Sequence, residues 1–274
     1  MKHPFRGFAG QPDLQAITAT IQRALSSAGL LSSNTTPAAD DQAIDVPSRV
    51  VSDHAAPATP AAVFEQHLFR NAAGSRAYKL YRPARASASG KPPMLLVMLH
   101  GCTQSADDFA LGTGMNRLAD EHGFLVLYPE QSAQANSSRC WNWFQPGDQR
   151  HGAGEPSLIA GCVREVAARH GVDPRGIFVA GLSAGAAMAL VMGETYPELF
   201  AAVGVHSGLA YGSAHDVASA LAAMKGGRGA AAGPARPTAR TQQALPLIVF
   251  HGDRDHTVQA SNASAIVAQA SEAY

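Results

Sequence analysis

The sequence predicts an α/β domain built on a mostly parallel, doubly wound sheet. Two observations carry this. Short apolar runs such as Met94-Leu95-Leu96-Val97-Met98-Leu99 and Pro246-Leu247-Ile248-Val249-Phe250 read as strands covered on both faces, and they alternate with helical patterns. The residues able to do chemistry fall just after those strands, where an open α/β sheet places its ligands.

Taken in order, residues 13–31 set Leu14, Ile17, Ile21, Leu25 and Leu30 on one helical face. We read 1–31 as an N-terminal helical segment, docked on its own domain or on a partner. Residues 32–62 are rich in Ala, Pro, Ser, Thr and Asp, which predicts a disordered linker. The remaining stretch, 63–274, is the α/β domain. It opens with two period-two segments around Val63–Phe69 and Arg76–Tyr81, an antiparallel pair. A strand at 94–99 follows, then one helix over 107–122 with Phe109, Leu111, Met115, Leu118 and Ala119 inward, then a strand at 124–128 closed by Pro129.

Residues 130–155 are irregular and contain Cys140-Trp141-Asn142-Trp143-Phe144. A helix at 156–170 leads to the strand starting at Ile177, and a further strand at 201–205 ends in His206-Ser207-Gly208. Beyond a helix at 216–224 a mobile loop is expected up to residue 244. The strand at 246–250 runs into His251-Gly252-Asp253-Arg254-Asp255, and a helix from 261 takes the chain to residue 274.

The chain has 274 residues, with 21 basic and 21 acidic side chains and no like-charge run. Nothing in it suggests a nucleic-acid partner or attachment to a membrane surface. The N-terminus lacks the apolar run and cleavage site of a secretory signal. No apolar stretch is long enough to span a bilayer. Three cysteines are too few for a disulfide framework. Cys162 reads as a core residue, whereas Cys102, after a strand, and Cys140, in a loop, could meet as a bridge above the sheet.

Gly181-Leu182-Ser183-Ala184-Gly185 lies between a strand and a helix of small residues. Strand, sharp turn and helix are the context in which G-x-S-x-G forms a nucleophile elbow. Ser183 is the candidate nucleophile, against the alternative of a solvated turn serine. The Ala184 amide, at a helix N-terminus, is a candidate oxyanion donor, and the Cys102 amide, in the turn His100-Gly101-Cys102-Thr103, is the second. A serine nucleophile needs a base oriented by a carboxylate, in the chain order Ser, Asp or Glu, His. Asp255 is the candidate acid; the alternative for it and Asp253 is a cap on the next segment. Trp141, Trp143 and Phe144 are expected to form an apolar wall beside Ser183 or to pack in the core. Asn142 would orient a substrate carbonyl or satisfy the loop backbone. His100 and His251 read as structural. The chain order calls for a histidine beyond Tyr274, so the domain reads as truncated before its last strand and helix, leaving 246–250 as an apolar edge.

From 69 to 258 the chain resembles the polyhydroxybutyrate (PHB) depolymerase family of α/β-hydrolase esterases. The motifs that carry this are Leu99-His100-Gly101-Cys102-Thr103-Gln104, Cys140-Trp141-Asn142-Trp143-Phe144, Gly181-Leu182-Ser183-Ala184-Gly185 and His251-Gly252-Asp253-Arg254-Asp255-His256-Thr257-Val258. The resemblance implies an α/β-hydrolase fold, Ser183 and Asp255 in a catalytic triad, and a histidine in a downstream Gly-His segment. It also implies a secreted or periplasmic carboxylic-ester hydrolase, cofactor- and metal-free, acting on hydroxyalkanoate oligomers or small esters, with feruloyl and acetylxylan esterases as relatives. The missing signal leaves a cytoplasmic location as the alternative. A non-catalytic remnant of the fold is the alternative function.

Overall fold

The computed structural model describes residues 61–84, 90–226 and 245–272. These belong to the unit Ala56–Tyr274. The helix expected within 1–31, the linker expected at 32–62 as far as residue 60, and the loop expected at 227–244 lie outside the described residues.

The centre of the unit is a seven-stranded sheet in the order β1-β2-β4-β3-β5-β6-β7. Its strands are β1 (Val63–Asn71), β2 (Gly74–Arg82), β3 (Leu95–Leu99), β4 (Leu125–Pro129), β5 (Ile177–Leu182), β6 (Ala202–His206) and β7 (Leu247–Phe250). The β1–β2 and β2–β4 pairs are antiparallel, and every pair from β4 to β7 is parallel. The expected antiparallel opening and doubly wound sheet are both present.

Side-chain alternation splits the core in two. Leu95, Val97, Leu99, Ile177, Val179, Val203 and Val205 pack under α3 (Gly154–His170) and α4 (Ala184–Thr195). Met98, Val126 and Tyr128 face α1 (Ala106–Thr113) and α2 (Met115–His122) on the other side. The helix expected over 107–122 is two helices, because Gly114 at φ +62° ends the first with its N–H on the Ala110 and Leu111 carbonyls. Glycine takes that left-handed position without the Cβ clash. Leu111, expected to point inward, is 86% exposed; the break rotates the first helix out of phase with the second.

The remaining helices, α5 (Val217–Met224) and α6 (Ser261–Ser271), stand where the sequence places them. Asp216 caps α5, accepting from the Ser219 N–H. The strand β7 closes the sheet on its outer side, with Ile248 and Phe250 on one face, each 55% exposed.

Candidate active site

Cys102, Ser183 and Asp255 follow the C-terminal ends of β3, β5 and β7. Ser183 joins β5 to α4 at φ +55°, ψ −119°, a conformation that L residues avoid and that a surrounding structure must enforce. The enforcement is visible. A Cβ at Gly185 would fall on the Leu99 and His100 carbonyl oxygens, and one at Gly181 would strike the Gly185 backbone. The Ser183 N–H donates to the His206 carbonyl at 2.9 Å, and the Ser183 carbonyl accepts from Ala186 and Ala187. The serine itself is half-buried. Ala184 starts α4, so its N–H is one of those a helix leaves unpaired at its start.

The turn after β3 is held from several sides. Cys102 and Cys140 form a disulfide, which realises the bridge left open from sequence. The Thr103 N–H donates to the Ser138 carbonyl at 2.7 Å, and the Gly101 N–H to Gln104 Oε1 at 2.8 Å. His100, 1% exposed, accepts the Gln131 N–H at Nε2, 3.0 Å. That bond places its proton on Nδ1, which donates to the Gly101 carbonyl at 2.7 Å. In a trans peptide the carbonyl and the next N–H point opposite ways, so gripping the Gly101 oxygen aims the Cys102 N–H away from the ring. Burial lowers the His100 pKa, which keeps the ring neutral.

The loop that follows corrects one expectation. Trp141 does not form an open wall: it is fully buried, donates Nε1–H to the His100 carbonyl at 3.0 Å, and lies with its ring under the Arg76 guanidinium. Trp143 is 6% exposed and belongs to the same core, with half-buried Phe144 against its edge. Of the two readings for these rings, packing prevails for both tryptophans. Asn142 also turns inward. Its backbone N–H and its Nδ2 donate to the Glu155 carboxylate at 2.9 and 3.0 Å, and its Oδ1 accepts from Asn136.

Glu155, Arg76 and Gln131 had no assigned role from sequence, and all three are almost fully buried. Glu155 accepts from Asn142 and Gln131 and lies 3.7 Å from Arg76; Gln131 also accepts from Arg76. Burial raises the Glu155 pKa and lowers that of Arg76, each effect opposed by the other's charge. The available signal was an arginine in a strand that otherwise buries Tyr78 and Leu80.

Asp255 lies in the turn after β7. Its Oδ1 accepts from the Thr257 and Val258 amides at 2.9 Å each, within its own turn; α6 begins after Ala260 without a side-chain cap, so Asp255 does not cap that helix. The Val258 N–H holds its pKa below the ordinary value, burial opposing, with Thr257, the Ser207 hydroxyl and His251 adding to the lowering. His251 Nε2 is 3.6 Å from Asp255 Oδ2 but is engaged by the Val258 carbonyl at 2.8 Å, and the ring is 4% exposed. That histidine is structural, as expected. His206 and His256 are exposed. Among the described residues there is no cluster of three or more His, Cys, Asp or Glu side chains able to hold a metal.

A family model described as Esterase PHB depolymerase matches residues 76–272. The chain belongs to this family. Among curated proteins, poly(3-hydroxyalkanoate) depolymerase C of Paucimonas lemoignei is 37% identical over 187 residues, covering 64% of this chain and 44% of that protein. Feruloyl esterase B of Neurospora crassa is 38% identical over 129 residues, covering 47% and 43%. The chain thus spans less than half the length of these two relatives. Among solved structures, an acetyl xylan esterase from Aspergillus awamori superposes with a TM-score of 0.64 at 26% identity, covering 73% of this chain and 76% of that one. These neighbours share the α/β-hydrolase fold read from the sequence.

Proposed function

We propose that the protein is a serine carboxylic-ester hydrolase that cleaves hydroxyalkanoate oligomers or small esters through an acyl-enzyme on Ser183. The observation that carries this is the backbone of Ser183, a non-glycine residue kept at φ +55° between a central strand and a helix. In the reaction Ser183 Oγ bonds to the ester carbonyl carbon, and its proton passes to an imidazole oriented by Asp255. The Cys102 and Ala184 amides stabilise the negative oxygen. The alcohol leaves with the proton, and water, deprotonated by the same imidazole, releases the acid and restores the serine. By family resemblance that imidazole belongs to a Gly-His segment downstream of the acid.

The family names support an ester as substrate, and the buried state of Trp141 and Trp143 favours soluble oligomers or small esters over an aromatic platform for polymer. The Cys102–Cys140 bridge supports an extracytoplasmic site of action, since such bonds persist in oxidising compartments. Among the described residues no helix is long and apolar enough to cross a membrane.

The test is hydrolysis of p-nitrophenyl butyrate and labelling by a fluorophosphonate. Both are expected in the parent protein and both are lost on Ser183→Ala; hydrolysis at the parental rate in that variant would refute the assignment. A second reading, an ester-binding remnant without turnover, is favoured by one fact: the described histidine nearest Asp255, His251, is buried and already bonded. A protein that binds short hydroxyalkanoate esters but neither hydrolyses them nor takes the label would establish it.

A further inference from the structure

Gln131 lies just beyond the end of β4 and is 1% exposed. A buried side-chain amide must find partners for its N–H groups and its oxygen, and here each partner is in place. Nε2 donates to the Cys140 carbonyl at 3.0 Å and to the Glu155 carboxylate. Oε1 accepts from the Arg76 guanidinium and from the Ser132 N–H, the latter at 3.0 Å. Two acceptors face the nitrogen and two donors face the oxygen, so a single orientation of the amide satisfies them all.

What Gln131 touches lies on both sides of the turn that carries the Cys102 amide. Its main-chain N–H fixes the His100 ring, which grips the Gly101 carbonyl and with it the peptide that contains the Cys102 nitrogen. Its side chain fixes the carbonyl of Cys140, the disulfide partner of Cys102. The segment around Cys140 adds two further attachments to the same turn: Ser138 accepts the Thr103 N–H, and Trp141 donates to the His100 carbonyl. Gln131 is bonded in turn to Arg76 of β2 and Glu155 of α3. Through it the turn is tied to the sheet and to a helix that packs on the sheet.

We propose that Gln131 is a positioning residue for the oxyanion site: by holding His100 and Cys140 at once, it sets the direction of the Cys102 N–H. This role rests on the reading of that amide as an oxyanion donor. The main-chain N–H survives substitution, so variants test the side chain's hold on Cys140. Gln131→Met keeps the volume and removes every side-chain hydrogen bond. A milder variant exchanges two neighbours, Gln131→Glu with Glu155→Gln, and keeps the question answerable where the Met variant does not fold. A carboxylate then stays beside Arg76, and the bond between positions 131 and 155 can form in the opposite sense. The Cys140 carbonyl alone faces an oxygen where it had a donor.

The first readout needs no turnover: the nitrogen-15 order parameters of Gly101, Cys102 and Thr103. In both variants they are expected to fall from about 0.85, the value of rigid backbone, toward about 0.6, with those of β3 and β5 unchanged. The second readout is hydrolysis of p-nitrophenyl butyrate. There kcat is expected to fall about tenfold or more, with KM within about twofold of the parent, because the donor acts on the transition state. Parental order parameters at Cys102 in a folded variant overturn the proposal, and so does a loosened turn with parental kcat. A parent protein that neither cleaves the ester nor takes a fluorophosphonate fails the ester-hydrolase reading instead, and the order parameters still decide whether Gln131 holds the turn.

Discussion

Four non-glycine residues among those described have positive φ: Thr103, Arg139, Ser183 and Ser207. Three border the proposed site: Thr103 follows Cys102, Arg139 precedes its disulfide partner Cys140, and Ser183 is the proposed nucleophile; Ser207 follows His206, whose carbonyl accepts the Ser183 N–H. Sequence exposes one of the four. Ser183 is legible because the glycines its turn requires sit two residues away on either side. Thr103 donates its N–H to Ser138 and Ser207 its N–H to Phe250, partners distant in the chain, so no local pattern announces either. The glycine requirement is itself testable. Gly185→Ala is expected to cost roughly 3 kcal/mol or more, because the new Cβ meets backbone carbonyls that cannot yield. Gly112→Ala, where nothing lies within 4 Å of the added carbon on α1, is expected to gain about 0.5–1 kcal/mol. Urea denaturation midpoints of the two variants should move in opposite directions.

At the scale of elements, the central strands were readable because burial on two faces leaves an unbroken apolar run, as in β3 and β4. Helix phase was less readable: one glycine divided α1 from α2 and turned Leu111 outward. The 140–144 loop was not readable at all. Whether Trp141 faces a cleft or the core depends on Glu155 of α3, Arg76 of β2 and Gln131 after β4, which meet only in the folded chain. Removing one member of that set should be costly. Glu155→Ala leaves the Arg76 charge buried without its counter-ion and is expected to lower stability by roughly 3–5 kcal/mol. Adding Arg76→Met to it should recover part of the loss, because the uncompensated charge goes with it; thermal unfolding of the single and double variants measures both.

For the whole molecule, the parallel order β4-β3-β5-β6-β7 is what gathers turns from four strands at one end, and alternating strand and helix patterns were enough to foresee that end as the site. The outer border of the sheet is different in kind. Among the described residues β7 pairs with β6 alone, and Ile248 and Phe250 are exposed beside it, an apolar margin of the sort that invites association with other chains. Yet the turn bearing Asp255 grows from this strand, whereas Ser183 rises from β5, flanked on both sides. Opening free energies differ across a fold, and a strand with one neighbour belongs to the low end. Warming is therefore expected to silence ester turnover several degrees before circular dichroism reports melting. In that interval the polypeptide keeps its shape and its hydroxyl while the carboxylate swings free, a reversible dormancy that cooling should undo.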